Sequence, residues 1–492
     1  MGTLGEPLPG GQDILGFFGP LNGGATDPEA DRRLAQLLSF PTLAAQAYRT
    51  GDWSAFEAQR AWLEAAYPQV FSAASVELVE GAAGGGPQAM LLEIPGDNPR
   101  LAPLVLMAHQ DVVPCVPGTQ DHWAYGPFAG TADGTWIWGR GAIDMKVQLA
   151  GIFEALGQVL GSGAPLERGV IAALGHDEEC LQEGARALAA RLEERGIHPA
   201  FLVDEGDYLI HDLASLGGSG HWMGVAIAEK GYADLWLSAR SEGGHSSNPA
   251  RGTSLGRLCE AVTRVCREMG QPRLTAPVAA MFRQLAPRIA RGPIGELLQG
   301  DPTRVEACGQ ALAELLARDP ETYPLVCTTA APTMMEGGSS APNVLPQDMG
   351  AAINFRLLPG DSVAGLVAQV RALVADLDVQ VTLMEGANDP SCVSLEDGWG
   401  VDQLRQAAAS LFCELDGTPI PLVPTLATGA SDARMYEGCC DQCLRFSAFV
   451  GDEAEIARGV HGTNERILSA AFAQGVAFLR DLVTGCCCGA PS

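Results

Sequence analysis

Short, fully apolar runs that end on metal-binding side chains constrain this chain more than any other feature. Residues 102–108 (APLVLMA), 170–174 and 200–203 are almost wholly apolar and of strand length, as expected for strands buried on both faces. Between them, residues 146–160 and 184–195 carry apolar positions at helical spacing. The order strand, helix, strand, helix, strand predicts an α/β fold with crossover helices. His109, Gln110 and Asp111 follow the first run, Asp177, Glu178 and Glu179 the second, and Asp204 and Glu205 the third, while Asp144 stands just ahead of a helix. Ligand groups in open α/β sheets gather at the carboxyl ends of the strands, so these side chains are expected to meet in space.

Carboxylates joined by one or two imidazoles, without thiolates, suit zinc, manganese or cobalt, and several carboxylates on one site repel one another unless cations neutralise them. An isolated acidic turn would carry little weight, because carboxylates are usually solvated. Four acidic sites in register with the strand pattern carry far more. The overall balance agrees, with 59 acidic against 31 basic residues and a formal charge of −28. Such a field repels phosphate backbones and anionic lipid, so neither nucleic acid nor a membrane surface is expected as a partner. Of the fourteen cysteines, Cys180, Cys266 and Cys413 lie in helix-like or apolar runs. Most are expected to be reduced core thiols, and Cys439, Cys440, Cys443 and the run Cys486, Cys487, Cys488 lack a complete zinc-ligand spacing.

The length of 492 residues suggests two or three domains. Residues 29–67 read as two or three helices. From about residue 229 the texture changes: residues 233–239 alternate as a strand with one wet face, and a helix over 254–269, a strand over 350–357, a helix over 362–375 and a strand over 379–384 follow. A mostly helical excursion spans about 278–320. Helices over 400–415 and about 467–482 return to the first unit. The expected division is 1–228 and 386–492 as one domain in two parts, with 229–385 inserted. No uncharged apolar stretch reaches membrane-spanning length, and the first residues lack a secretory pattern, so a cytoplasmic setting is the expectation.

The segments AHQDVVP, HWAYGPF, WGRGAIDMK, HDEEC, VDEG, EGGHSSNP and VHGTNE resemble the metallopeptidase family M20, which includes aminoacylase-1, carboxypeptidase S and the N-fatty-acyl-amino-acid hydrolases. Cys115 and the Gly175–His176 pair depart slightly from the pattern without removing a ligand. The resemblance implies a zinc-exopeptidase-like catalytic domain, a central mixed sheet flanked by helices, with an inserted α+β lid and dimerisation domain. It implies two zinc ions (cobalt or manganese as substitutes) bridged by Asp144, with His109 and a carboxylate of VDEG on one, and Glu179 and His461 on the other. Both Asp204 and Glu205 stay open for that carboxylate. A cis peptide between Asp144 and Met145 is also implied.

By the same resemblance Glu178 is the general base, Asp111 orients His109, and His245 reaches across a homodimer to stabilise an oxyanion. Arg356, assisted by Asn343, holds a free carboxylate, and Thr428, Gly429, Asp432 and Arg434 form a substrate-side loop. His122, His198, His211 and His221 lie outside the motifs and are expected on the surface. The implied activity is hydrolysis of an amide next to a free α-carboxylate, by a carboxypeptidase on small Gly-X peptides. The alternatives are an N-acyl-amino-acid amidohydrolase, fatty-acyl forms included, or a non-catalytic metal-binding homologue.

Overall fold

A computed structural model describes residues 26–249, 252–451 and 453–489. A nine-stranded mixed sheet runs in the order Ser75–Val79, Ala89–Ile94, Val170–Gly175, Leu104–His109, Phe201–Asp204, Cys443–Arg445, His221–Glu229, Leu422–Ala427, with His211–Asp212 paired on His221–Glu229. The strand Leu104–His109 shows why its sequence is apolar at every position. Leu104, Leu106 and Ala108 enter one core with the helices Lys146–Gly161 and Ser469–Cys487, while Val105 and Met107 enter another with Ala185 and Leu188 of the helix Glu183–Glu194. Successive side chains of a strand point to opposite faces, and here each face is covered.

The helix Lys146–Gly161 is buried nearly all round. Lys146 survives there because its Nζ donates to the carbonyls of Phe40 at 2.7 Å and Leu37 at 3.3 Å. Lys230, the only other lysine in the sequence, is buried too and donates to the carbonyls of Cys327 and Pro324. Burial pushes both amines down to about 7.

A separate antiparallel sheet of four strands runs Thr329–Gly337, Asp348–Leu357, Gly231–Arg240, Gln380–Leu383. Its strand Gly231–Arg240 alternates buried and half-buried residues, as the sequence pattern predicts, and its apolar face packs on the helices Ser254–Glu268 and Val363–Leu373. The short helices between Ala276 and Val326 do not join this unit's core. They pack with Trp222, Ala228, Val423 and Leu426 of the nine-stranded sheet.

The cysteines divide differently from the expectation. Cys327, Cys439, Cys440, Cys443, Cys486 and Cys487 are buried, the last two inside the final helix, whereas Cys180 is exposed and Cys266, in the helix Ser254–Glu268, and Cys413, in an isolated bridge to Pro419, are only half-buried. Among the described residues no helix is long and apolar enough to cross a membrane.

Candidate metal centre and catalytic site

The carboxyl ends of three neighbouring strands and two loops bring the donors together. His109 closes its strand, and its Nε2 lies 3.0 Å from Asp144 Oδ1. Asp144 Oδ2 lies 3.1 Å from His461 Nε2, which also meets Glu179 Oε2 at 3.2 Å. Asp144 thus stands between two imidazoles, each facing one of its oxygens. Glu205 Oε1 approaches His109 Nε2 at 3.8 Å. Asp204, its neighbour in VDEG, leaves the strand the other way, and its Oδ2 accepts the amide of Ala433 at 2.8 Å. The Asp144–Met145 peptide is cis, and His461 has a left-handed backbone with φ of 59°.

Asp111 organises the cluster from beneath. Its backbone carbonyl lies 3.0 Å from His109 Nδ1 and its Oδ1 3.3 Å from the same nitrogen. The two carboxylate oxygens also accept the amides of Glu178 at 3.1 Å and Glu179 at 3.2 Å. One buried aspartate therefore orients a histidine and fixes the turn that carries two glutamates. Asp177 belongs to that turn's support, accepting the amides of Glu183 and Gly184 at the start of a helix and the hydroxyl of Tyr48. Glu178 Oε1 accepts from Gln182 at 3.2 Å.

The electrostatics are those of crowded acids. Burial, reinforced by neighbouring carboxylates, raises Glu178 and Glu205 well above the usual range, and burial also raises Glu179. Burial pushes Asp144 up as well, but His109 and His461 outweigh it and draw its pKa below the usual range. Hydrogen bonds to Asp144 and Glu179 lift His461 to about 10. The donors fit cations on two counts. They form two sets, His109 with Glu178 and Glu205, and His109 with Asp144 and Glu179, whose ligand atoms lie within 4.8 Å of one another. In addition Glu179 Oε1 is buried with no hydrogen-bond partner. Oxygen and imidazole donors without thiolate suit zinc, cobalt or manganese.

Several residues with roles here carried no assignment from sequence. Glu465, buried, accepts from Arg140 and from the amides of Gly141, Ile143 and Asp144, so it holds the loop that presents Asp144. The NE of VHGTNE was the available signal. Tyr208 donates to Glu205 Oε2 at 2.7 Å. Glu229, where the chain leaves the nine-stranded sheet for the four-stranded one, is buried and receives Arg445 at 2.8 Å, Arg434 at 3.1 Å and the hydroxyl of Ser431 at 3.0 Å. Arg434 also donates to Asn388 Oδ1 at 2.5 Å, on the returning strand connection.

A cavity of about 970 Å³ opens on Asp144, Glu178, Glu179, Glu205 and His461 and extends past Tyr208 to Leu325 and Met281. Thr428 and Gly429 line it. Asp432 does not: it is buried with Oδ1 unpartnered, and burial and Asp204 hold it well above the usual carboxylate range. His211 and His221, expected on the open surface, line the cavity instead. His211 pairs with Asp207 and stacks on Trp222 with ring centroids 4.3 Å apart, while His221 Nδ1 meets Glu414 at 2.8 Å. His122 and His198 are exposed.

His245, Asn343 and Arg356 are not brought to the cavity in the single chain. His245 is exposed in a two-residue strand paired with Val344, its Nδ1 2.8 Å from Ser247 Oγ. Asn343 is exposed and accepts the Ser246 amide through its carbonyl. Arg356 lies over the Tyr232 ring, 4.8 Å from its centroid.

Known proteins agree with this architecture. Human N-fatty-acyl-amino acid synthase/hydrolase PM20D1 is 32% identical over 397 residues, covering 80% of this chain and 76% of its own. A probable carboxypeptidase S-like 2 of Dictyostelium discoideum is 27% identical over 464 residues, 93% of this chain and 85% of its own. The crystal structure of the M20 family metallo-carboxypeptidase Sso-CP2 from Sulfolobus solfataricus superposes with a TM-score of 0.66 at 18% identity, over 93% of this chain and 98% of that one. That likeness speaks for the fold: a mixed sheet bearing the donors and a separate antiparallel sheet. The family description Peptidase family M20/M25/M40 matches residues 105–485. This chain belongs to peptidase family M20 and is a metallohydrolase of that family.

Proposed function

We propose that the chain hydrolyses N-acyl amino acids at the amide next to a free α-carboxylate, and that the acyl group is an apolar chain. The supporting observation is the cavity wall beyond the donors, which carries Leu209, Ile210, Leu216, Met281, Leu325 and Leu426. Each methylene buried against such a wall contributes about 0.8 kcal/mol. The name of the human relative, a fatty-acyl-amino acid enzyme, points the same way.

His109, Asp144 and Glu205 would hold one zinc ion and Asp144, Glu179 and His461 the other, and the pair would supply a Lewis acid and a water of lowered pKa. Glu205 is preferred to Asp204 because it faces His109 while Asp204 is engaged by the Ala433 amide. Glu178, on the cavity wall, takes a proton from the attacking water and returns it to the departing amine. Asp111 keeps Nε2 of His109 turned to the donors. Gly429 contacts substrate, and Asp432 serves as a support beneath the donors rather than as a contact.

Arg356 and Asn343 grip the substrate carboxylate and His245 the oxyanion. Since none of them lines the cavity, the unit that carries them closes over it, or a second copy of the chain presents His245. Of the inserted residues 229–385, the part that moves excludes the helical stretch packed on the nine-stranded sheet.

A peptide with a free amino terminus is the second reading, favoured by Asp207, Asp212, Glu321 and Glu453 on the same wall. Hydrolysis of long-chain acyl, acetyl and Gly-X substrates, after chelation and again after zinc is restored, separates the two. Zinc-dependent preference for long acyl chains supports the first reading. Preference for Gly-X transfers support to the second, and inertness of the zinc-loaded protein toward all three overturns both.

A further inference from the structure

Glu205 differs from Glu179 in how its second oxygen is held. Glu205 Oε1 faces His109 at 3.8 Å while Oε2 accepts the Tyr208 hydroxyl at 2.7 Å. In Glu179, Oε2 meets His461 at 3.2 Å and the buried Oε1 has no hydrogen-bond partner. Tyr208 is itself anchored. Its carbonyl accepts the Gly451 amide at 2.9 Å, and Leu209 forms a parallel bridge to Gly451. Asp207 closes the same turn by accepting the Leu209 amide at 3.1 Å and pairing with His211. The hydroxyl is therefore delivered by a loop tied on both sides of it.

We infer that Tyr208 is a positioning residue for the cation held beside His109. By occupying Oε2 it leaves Oε1 as the one oxygen Glu205 offers, whereas Glu179 keeps both oxygens available on the His461 side. The hydroxyl holds Oε2 in place before a cation arrives, and once a cation keeps the carboxylate ionised the bond becomes charge-assisted and roughly twice as strong as a neutral one. Partners of this kind typically set metal affinity by about 10–100-fold. Tyr208 also lines the cavity ahead of Leu209 and Ile210, so one loop serves both the cation and the acyl arm. The inference rests on the metal reading of the donor cluster.

Tyr208→Phe keeps the ring and removes the hydroxyl. Zinc and cobalt titrations into chelator-stripped protein, followed by calorimetry and by the visible absorption of bound cobalt, read the effect without any activity assay. Wild type is expected to show two binding events, and Tyr208→Phe to weaken one of them about 10–100-fold, with a changed cobalt spectrum and the other event intact. Glu205→Gln should weaken the same event, and adding Tyr208→Phe to it should change nothing further, as a double-mutant cycle requires for residues acting through one another. His461→Ala should weaken the other event.

Two undisturbed events in Tyr208→Phe overturn the inference, as does weakening of the event that His461→Ala removes. So does a loss of thermal stability in the metal-free variant with both affinities intact, which would make the hydroxyl a brace of the fold. Failure of the wild-type protein to take up any metal is the distinct result that overturns the metal centre itself.

Discussion

The end of the nine-stranded sheet and the exposed two-stranded ribbon of Gly244–His245 and Val344–Leu345 hold their polar residues in opposite ways. At the first, most of the bracing comes from groups distant in sequence, Asp111 accepting the Glu178 and Glu179 amides and Glu465 holding the Asp144 loop, while Tyr208 holds Glu205 from three residues away. At the second, His245 is held by Ser247 two residues away and Asn343 is exposed. Crowded carboxylates need fixed partners because each misplacement raises their mutual repulsion. On the proposed reading, residues that meet a substrate arriving from outside have no such need, and the contrast separates a braced chemical end from an exposed recognition surface.

The sharpest way to break that comparison is at Glu178. Glu178→Gln should leave metal binding in place and lower turnover by about 10²–10⁴-fold, measured as kcat beside a metal titration. Retained turnover would take the chemistry away from the braced end. Next come the residues proposed to meet substrate. His245→Ala should lower kcat and Arg356→Ala raise KM, each by about 10–100-fold, as expected for lost hydrogen bonds to charged groups, with metal affinity unchanged. Mixing His245→Ala with Glu178→Gln protein and recovering activity would assign His245 to the second copy of a dimer. A fall in metal affinity in either of these variants would erase the distinction between the two regions.

The smallest effect concerns protons. His461 is raised to about 10 in the metal-free chain by Asp144 and Glu179. A raised histidine contributes stability that is fully present below its unfolded value of about 6.5 and is lost as pH climbs through about 10. Its side chain is 52% exposed, so solvent screening keeps this contribution small. His461→Asn should flatten the pH dependence of metal-free unfolding over that window. The same proton must leave before a cation binds, so zinc uptake should tighten as pH rises toward about 10.

The strands Leu104–His109, Val170–Gly175 and Phe201–Asp204 were legible because burial on both faces leaves no polar position to blur them. Their terminal donors were legible for the same reason, since a His or Asp directly after such a run has nowhere to go but the sheet's end. Other strands were not. His221–Glu229 merges with the next strand across Lys230, Leu422–Ala427 contains Pro424, and Cys443–Arg445 is three residues long. The choice between Asp204 and Glu205 turned on which way each leaves its strand, which adjacency in sequence does not decide. Glu465 and Glu229 carry no local signature because their meaning lies in Arg140 and Arg445, 325 and 216 residues away. The sequence places His211 on the surface because its partner Trp222 belongs to a strand that the pattern does not reveal.

The burial of Lys146 and Lys230 has a consequence for anyone handling the protein. With both lysine side chains capped by main-chain carbonyls inside the fold, the native exterior offers arginine as its cationic side chain and no lysine ammonium. Ester-activated dyes, aldehyde fixatives and amine-directed crosslinkers will find no lysine to react with while the fold is intact. The same reagents become reporters of opening: a label appearing on Lys230 marks the moment its contact with the Pro324 and Cys327 carbonyls breaks.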